Sequence, residues 1–344
     1  MQALVLLHQT VLEHEWSTRL QLNGSEISLG TLKDVLDKVY GRRAFAIGLH
    51  EQFFRVEWEF GGIDDKQAMS VPVECVTIDS RRSEQPAKLR HLLPETSHDA
   101  ARDLAKRLLR LTNLTAERVG PRDVYDLQDP STVQVVGPRG ENAVGMLYQR
   151  RDQEVHPNLV LATEPPTLLK QVQARMNAFF PGTSLVVQQV PQANMVTLGL
   201  RTSAATDFHR PVHVGFGLTQ VLPIVVAALT AKDWDLLLIE NPEVHLHPAG
   251  QALMGEFLTE IADAGVQVLV ETHSDHLLNG IRRGVKSGRI AASDVALHFF
   301  RTRDAGSAQV TSPNIDQSGN IGAWPPGFFD QFDKDLNYFA GWEA

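Results

Sequence analysis

Three side chains able to hold a metal ion or move a proton follow two apolar runs in the C-terminal half. Glu240 directly follows the first run (234–239), and Glu243 lies three residues further on. His273 lies just beyond the second run, Val266–Val270. One carboxylate can bind Mg²⁺, a second can orient an attacking water, and a histidine can hydrogen-bond a terminal phosphate. Each signal is weak alone, and a lone histidine after a strand is more often structural, but the ordered combination is much more specific.

The surrounding pattern predicts an α/β unit that brings these groups together. Short continuous apolar runs are typical of strands buried on both faces of a parallel sheet. We predict a helix over Pro248–Ala264, a second helix from Asp275 to Val285 capped by Ser274, and a third strand over Val295–Phe300. In such a βαβαβ unit, the carboxyl ends of the strands share one edge of the sheet.

Over about the first 200 residues, the sequence predicts short strands and three helices. Leu4, Leu7 and Val11 mark one face of a buried first helix that has no N-cap residue before it. An excursion from the core is predicted over Thr115–His156, and a loop over Arg81–Thr96. The other predicted helices are Asp99–Leu111 and Leu168–Phe179; the predicted strands are Arg19–Leu22, Glu26–Leu29, Ala44–His50, Phe53–Phe60, Ser70–Ile78 and the hairpin Ser184–Val190 with Met195–Leu200.

Composition excludes several classes of protein. The 344 residues are 43% hydrophobic and 21% charged, which is typical of a globular protein rather than a disordered one. The single cysteine, Cys75, excludes an intrachain disulfide and a thiolate metal cluster, and favours the cytoplasm. No run of eighteen apolar residues occurs, so we predict no membrane span. The net charge of −9 argues against coating nucleic acid by bulk charge.

The motifs together resemble ABC-type ATPases of the RecF/SMC/OLD class. The segment 236–248, Leu-Leu-Leu-Ile-Glu-Asn-Pro-Glu-Val-His-Leu-His-Pro, is similar to their Walker B strand and D-loop. Thr272-His273-Ser274 is similar to their switch histidine, and the glycine-rich turn 214–220 stands at the place of their signature motif. The segment 320–330 resembles the C-terminal module of unknown function that closes one bacterial branch.

This resemblance implies an α/β fold of the P-loop NTPase type, an ABC-ATPase head with a β-rich N-terminal lobe and a mainly parallel C-terminal sheet. It implies ATP and Mg²⁺ as cofactors, with Glu240 holding the metal and His273 sensing the γ-phosphate. Either Asn241 or Glu243 would position the attacking water. The nucleotide-binding residues that it implies are Gly215, Gly217, Thr219, Gln220 and His247.

The resemblance also implies partners. ATP held between two heads implies a homodimer, whose closing would act on DNA or on an effector nuclease. The corresponding roles are DNA maintenance and repair or antiviral defence in the cytoplasm.

Three departures from the family pattern bear on activity. No GxxxxGK(S/T) phosphate loop occurs, and Gln2–Leu7 resembles the helix that follows it. We therefore expect a product truncated before or within that helix, lacking the first strand and phosphate loop and binding Mg-ATP poorly. Asn241 stands where most ABC ATPases have the catalytic glutamate. Gly215 replaces the usual signature serine, and Thr219 is expected to compensate.

The predicted division has four parts. The bounds are 1–114 for a truncated N-terminal ATPase lobe, 115–183 for an Arg/Gly/Pro-rich insertion and helix, 184–300 for the C-terminal ATPase lobe, and 301–344 for an aromatic module.

Two alternatives stay open. Without a phosphate loop, the chain is a candidate nucleotide-dead binding subunit. The basic residues Arg282, Arg283, Lys286 and Arg289 would contact DNA, although such a face is more often merely solvated. A zinc hydrolase would use four histidines, His245, His247, His273 and His276, but no aspartate completes a His-x-His-x-Asp-His pattern.

Overall fold

The computed structural model describes residues 1–37, 41–51, 54–129, 135–301 and 309–342. Phe53, in one predicted strand, and the segment 130–134, in the predicted excursion, lie outside the described residues. The described helices are α1 (Gln2–Glu13), α2 (Leu32–Val35), α3 (Asp99–Leu109), α4 (Ala143–Gln149), α5 (Leu168–Phe179), α6 (Phe216–Thr230), α7 (Pro248–Asp263), α8 (Asp275–Lys286) and α9 (Gln331–Ala340).

The strands of the described chain form several separate sheets. They are β1 (Arg19–Gln21), β2 (Phe45–His50), β3 (Arg55–Phe60), β4 (Ser70–Ile78), β5 (Arg81–Glu84), β6 (Thr112–Leu114), β7 (Tyr125–Asp126), β8 (Ser184–Gln189), β9 (Met195–Arg201), β10 (Leu236–Glu240), β11 (Gln267–Glu271), β12 (Phe299–Phe300) and β13 (Val310–Thr311).

A parallel three-stranded sheet in the order β11-β10-β6 positions the predicted chemistry. Its central strand β10 is buried on both faces, as the continuous apolar run predicts. Leu236 and Leu238 pack into the core of the N-terminal half, whereas Leu237 and Ile239 pack into the core of the C-terminal half. The strand therefore joins two hydrophobic cores while ending at Glu240.

The N-terminal half is rich in β-structure, as predicted. Strands β1-β4-β3-β2 form an antiparallel sheet in that order, and β5 also pairs with β4. Helix α1 packs against this half through Val5, Leu7 and Val11, which are buried in its core. The predicted buried first helix is therefore confirmed.

The third strand of the parallel sheet differs from the prediction. Val295–Phe300 was the predicted strand, but β6 occupies that place, and β12 pairs instead with β13 in an antiparallel ribbon. The cause is packing: Leu297 and Phe299 contribute to a small satellite cluster with Phe328 of the C-terminal segment. Their hydrophobic surface is used there rather than in the main sheet.

Three further local predictions are wrong. Arg81–Glu84 is a strand rather than a loop. It lies at the edge of the sheet, so its sequence is polar and lacks the apolar alternation by which strands are recognised. Arg82 donates hydrogen bonds to Glu59. Residues 26–29 form no ladder, and the bridge Asn23–Ser28 is isolated. Within the predicted excursion, α4 is buried in the C-terminal core through its apolar face, so this part belongs to the core.

The predictions nearest the site are confirmed. Helix α5 has the predicted bounds, and β8 and β9 form the predicted antiparallel hairpin. Ser274 caps α8, because its Oγ accepts a hydrogen bond from the backbone N–H of Leu277 at 3.0 Å. Among the described residues, no helix has the length and apolar content needed to cross a membrane.

Candidate nucleotide-hydrolysis site

The carboxyl ends of β10 and β11 bring the predicted catalytic side chains to one edge. Glu240 and Glu271 are register partners at the ends of the two parallel strands. The backbone N–H of Asn241 continues the pairing by donating to the carbonyl of Glu271 at 2.8 Å. The loops that carry Glu243 and His273 therefore leave the sheet side by side.

Glu243 joins these two loops. Its Oε1 accepts a hydrogen bond from the backbone N–H of His273 at 3.0 Å and lies 3.4 Å from Nδ2 of Asn241. Its Oε2 is buried and has no hydrogen-bond partner among the described residues. A buried carboxylate oxygen without a partner is costly, so this atom is suited to accept a proton donor or a cation that the chain does not supply.

Glu240 is held from the third strand of the sheet. Its Oε2 accepts a hydrogen bond at 3.2 Å from the backbone N–H of Ala116, just beyond the end of β6. This contact orients the carboxylate toward the sheet edge. The site is thus assembled from the ends of β6, β10 and β11, as expected of an open parallel sheet.

Arg118 is a site residue that our sequence interpretation did not single out. Its side chain is 5% exposed and donates to the backbone carbonyls of Thr115 at 3.0 Å, Glu240 at 2.8 Å and Asn241 at 2.9 Å. Burial lowers the pKa of Arg118 to about 10, while Glu243 and Glu240 oppose the shift through their negative charge, so it remains charged near neutral pH. Its local sequence, Ala-Glu-Arg at 116–118, does not distinguish it from a surface arginine.

The loop after β10 has a constrained backbone. Asn241 and His245 have positive φ angles of 43° and 63°, in the region that non-glycine residues rarely adopt. Backbone hydrogen bonds from Val244 to Asn241 and from Leu246 to Glu243 hold the turn. His247 is exposed at the N-cap position of α7, where its side chain makes no capping hydrogen bond.

The glycine-rich turn opens α6 beside this loop. Gly215 is the exposed N-cap residue, and the Phe216 ring lies 5.6 Å from the His245 ring. A Cβ placed on Gly217 would lie 2.9 Å from the carbonyl oxygen of His245, so only glycine permits this close approach. The turn and the loop after β10 are therefore in direct contact.

Two predicted nucleotide-binding side chains face inward. Thr219 is buried and its hydroxyl donates to the carbonyl of Phe216 at 3.0 Å, so it is not presented to solvent in place of the missing signature serine. Gln220 is also buried, and its Nε2 donates to the carbonyl of Arg118 at 3.3 Å. Gln220 thereby connects the glycine-rich turn to the arginine behind Glu240.

The donor set fits Mg²⁺ better than zinc. Glu240 and Glu243 supply carboxylate oxygens, one of them buried and unpartnered, and Mg²⁺ binds through one or two carboxylates completed by water and phosphate. Among the described residues, no group of three or more His, Cys, Asp or Glu side chains is arranged to hold a metal by itself. The four histidines of the zinc alternative are therefore not assembled into a site.

Comparison with known proteins identifies two segments. Residues 102–279, over half of the chain, match the family described as "AAA domain, putative AbiEii toxin, Type IV TA system". Residues 290–338 match the family described as "Protein of unknown function (DUF3696)". A Listeria monocytogenes protein (serotype 4b, strain F2365) described as "Putative ABC transporter ATP-binding protein" is 24% identical over 191 residues, covering 53% of this chain and 67% of that protein.

Solved SMC ATPase heads are also similar. One, from work on ATP-driven dimerization and DNA-stimulated activation of SMC ATPases, is 12% identical with a TM-score of 0.34, covering 49% of this chain and 91% of that chain. An SMC head bound to the C-winged helix domain of ScpA is 11% identical with a TM-score of 0.44, covering 80% of this chain and 76% of that chain. Both scores are below 0.5, so family membership rests on the match over residues 102–279. The chain belongs to this AAA-domain family.

Proposed function

We propose that the edge formed by β6, β10 and β11 is the hydrolytic side of an ATP site that closes between two heads. The observation that carries this proposal is the Glu243 carboxylate, which ties the His273 loop to the Asn241 loop through Oε1 while its buried Oε2 is left without a partner. Such an oxygen, beside Glu240, is placed to take a proton from an attacking water.

Each residue at the edge then has a separate role. Glu240 holds Mg²⁺, which when bound neutralises charge on the phosphates. Glu243 acts as the general base, because Asn241 has no group that accepts a proton at neutral pH. Asn241 orients the Glu243 carboxylate and the water, and His273 hydrogen-bonds the terminal phosphate from its exposed position.

The glycine-rich turn serves the opposite head. Gly215 is exposed at the N-terminus of α6, where backbone N–H groups favour an anion such as the γ-phosphate of a nucleotide bound by a partner. Thr219 and Gln220 support this turn from within. His247, exposed near the same face, completes the contact with the partner. A head that both uses and supplies such a turn forms a two-fold homodimer.

The 344 residues contain no GxxxxGK(S/T) sequence, so they supply the hydrolytic side of the proposed site without this phosphate loop. Strand β11 pairs with β10 on one side, and no described strand pairs with its other side, although Val268, Leu269 and Val270 are only half-buried. This edge is suited to receive a strand that carries the loop. If no such strand joins it, the chain acts as a nucleotide-binding-deficient subunit of an active partner.

Closing and opening of the two heads would drive a partner. Helix α8 begins directly after His273 and packs through Leu278 against Phe328 of the C-terminal segment. Movement at the phosphate sensor is thereby passed to that segment and to DNA or an effector nuclease bound to the dimer. Roles in DNA maintenance or antiviral defence, in the cytoplasm, fit this output.

The test is dimer formation by the protein purified from its own gene, with Glu243→Gln as the trapping variant. In Mg-ATP we expect Glu243→Gln to accumulate at twice the monomer mass by light scattering and to hydrolyse ATP about 100-fold more slowly. Glu95→Gln, an exposed glutamate paired with Lys88, is the matched control and should behave as the unmodified protein. A mass and hydrolysis rate that are the same in all three proteins would refute the assignment.

A further inference from the structure

A basic concavity lies between α8 and the C-terminal segment, away from the residues of the hydrolysis site. Its volume is about 260 Å³. Its lining residues are Asn279, Arg282, Arg283, Lys286, Ser318 and Gly319. It thus lies where the segment matched by the AAA family, which ends at 279, gives way to the segment 290–338.

The cations come from one face of α8. Residues 279, 282, 283 and 286 are separated by three, four and seven positions, which places them on one stripe of a helix. Lys286 makes no ion pair with any described residue, and Arg283 is paired at 3.0 Å with Glu256 in an exposed bridge. Exposed bridges are weak and exchange readily, so both cations can accept an anion. Arg289 does not line the concavity.

The third cation is held rigidly by the opposite wall. Nε of Arg282 donates to the carbonyl of Gly319 at 2.6 Å, and Nη1 donates to Oδ1 of Asn279 at 2.7 Å. Gly319 has a φ of 76°, and a Cβ on it would lie 2.5 Å from the carbonyl oxygen of Arg282. Glycine is therefore required where the turn meets α8, and the guanidinium is fixed before any ligand arrives.

Asp316, the acidic residue in the turn that contains Gly319, is hydrogen-bonded within the turn. Oδ1 of Asp316 accepts hydrogen bonds from the backbone N–H groups of Ser318 and Asn320, both at 2.8 Å, and Oδ2 accepts one from the Asn320 side chain at 3.2 Å. The carboxylate closes the turn and its charge interacts with Arg282, but it makes no ion pair with Arg283 or Lys286 among the described residues. The concavity stays basic in a chain whose net charge is −9.

An exposed aromatic ring borders the cations. The guanidinium carbon of Arg282 lies 5.8 Å from the centre of the Trp324 ring, which packs against Phe328 at 5.2 Å. Trp324 is nevertheless 44% exposed, so part of its ring is available to a ligand. A fixed aromatic ring next to a line of cations is the arrangement with which proteins bind unpaired nucleotides, because bases stack while phosphates pair with the charges.

We propose that this concavity binds single-stranded nucleic acid, with phosphodiester groups on Arg283 and Lys286 and a base stacked on Trp324. The inference deepens the proposed function by giving the head a partner class and a place to bind it. It requires none of Glu240, Glu243 or His273. Binding is therefore measured without ATP, so that its failure and the failure of the hydrolysis assignment are distinguishable.

The experiment is fluorescence anisotropy of the full chain with a labelled 20-nucleotide single strand, as DNA and as RNA. We expect binding to weaken with salt with a logarithmic slope of about −1.4, as for two neutralised phosphates on a single strand. Lys286→Glu should weaken binding about tenfold or more. Lys106→Glu, an exposed lysine on α3, makes the same charge change elsewhere and should alter affinity less than about twofold.

A second pair of variants, one test and one control, examines the contact between Trp324 and a base. Trp324→Leu should weaken single-strand binding about tenfold. Trp234→Leu is the control, because Trp234 is also exposed and no described Lys or Arg lies over its ring. Circular dichroism of all variants verifies that they are folded.

Four results would overturn the proposal. One is no salt-dependent binding of either single strand. Another is equal affinity for the Lys286→Glu and Lys106→Glu proteins. The third is displacement of the strand by millimolar inorganic phosphate together with no effect of Trp324→Leu, which would mean a small-anion site only. Duplex DNA binding as tightly as the single strand would equally contradict the stacking contact.

Discussion

The guanidinium of Arg118 donates to the main-chain carbonyl of Glu240 across 2.8 Å, and the same side chain reaches the carbonyl of Asn241 at 2.9 Å. One buried arginine thus fixes the backbone at the point where β10 ends and the loop with Glu243 begins. Because the contacts are to backbone atoms, they would set the direction of the Glu240 and Asn241 side chains without touching a substrate. Arg118 is therefore a positioning residue.

Removing that side chain should cost stability. Arg118→Ala leaves three main-chain carbonyls without this donor, and we expect a loss of about 3 kcal/mol in the free energy of unfolding. Arg102→Ala, on the exposed face of α3 with a surface bridge to Asp99, is the control and should cost less than about 1 kcal/mol. Urea denaturation followed by circular dichroism gives both values. Equal losses would show that Arg118 does not hold the edge.

The two glycines of the signature-like turn should respond differently to the same added methyl group. A Cβ on Gly217 meets the His245 carbonyl at 2.9 Å and the Phe180 ring at 3.1 Å, whereas a Cβ on Gly215 meets no atom within 4 Å. We expect Gly217→Ala to lower the free energy of unfolding by about 1–2 kcal/mol and Gly215→Ala to change it by less than about 0.5 kcal/mol. Thermal denaturation of the pair checks this. Equal stability of the two variants would mean that the turn does not pack on the His245 loop.

A buried glutamate predicts a pH dependence of stability. Glu26 has a side chain that is 6% exposed; its Oε2 lies 3.5 Å from Nδ2 of Asn113, and its Oε1 lies 3.9 Å from Nε2 of His8. Burial raises the pKa of Glu26 to about 7, the Asn113 hydrogen bond opposes this, and the charges of Glu141 and Glu13 add to it. The folded state therefore binds this proton more tightly than the unfolded state.

Since the pKa is raised in the folded state, the stabilising effect of the bound proton is fully present below about pH 4.5 and is lost as the pH rises to about 7. Glu26→Gln has no proton to lose, so it should become more stable than the unmodified protein by up to roughly 3 kcal/mol at pH 8, with little difference at pH 4.5. Urea denaturation of both proteins at the two pH values measures this. His8, whose pKa burial lowers, is present in both proteins and lies 3.9 Å from Glu26, so His8→Gln is combined with each to separate its contribution. A stability difference that does not change with pH would contradict the buried, protonated Glu26.

The sequence predicts the fold correctly where a local pattern, such as an apolar run or a capping residue, is matched by the burial of the same residues in the structure. The apolar run of β10 and the Ser274 cap of α8 are such cases, and they place Glu240 and His273 correctly on one sheet edge. Val295–Phe300 was misassigned because a short apolar run does not reveal which sheet it joins. Helix α4 was obscured by its Arg-, Gly- and Pro-rich flanks.

Of the residues in the site, the sequence allowed only the ionisable side chains after β10 and β11 to be predicted. Arg118 could not be assigned, because its role depends on backbone carbonyls brought to it from residues more than one hundred positions away. The inward orientation of Thr219 follows from packing of the whole α6 helix, which is buried along most of its length. A motif position alone does not distinguish a hydroxyl that faces a ligand from one that bonds its own helix. The four-part division of the chain stays a prediction.

The most direct measurement is the rate of Mg²⁺-dependent ATP hydrolysis by the protein purified from its own gene, with and without Glu240→Gln. If Glu240 holds the metal at the end of β10, the variant should hydrolyse ATP about 100-fold more slowly or worse while remaining folded. Glu95→Gln, the exposed control, should stay within about twofold of the unmodified protein. An unchanged rate in Glu240→Gln, or no hydrolysis by the unmodified protein, would contradict the assignment of this edge as the hydrolytic side of an ATP site.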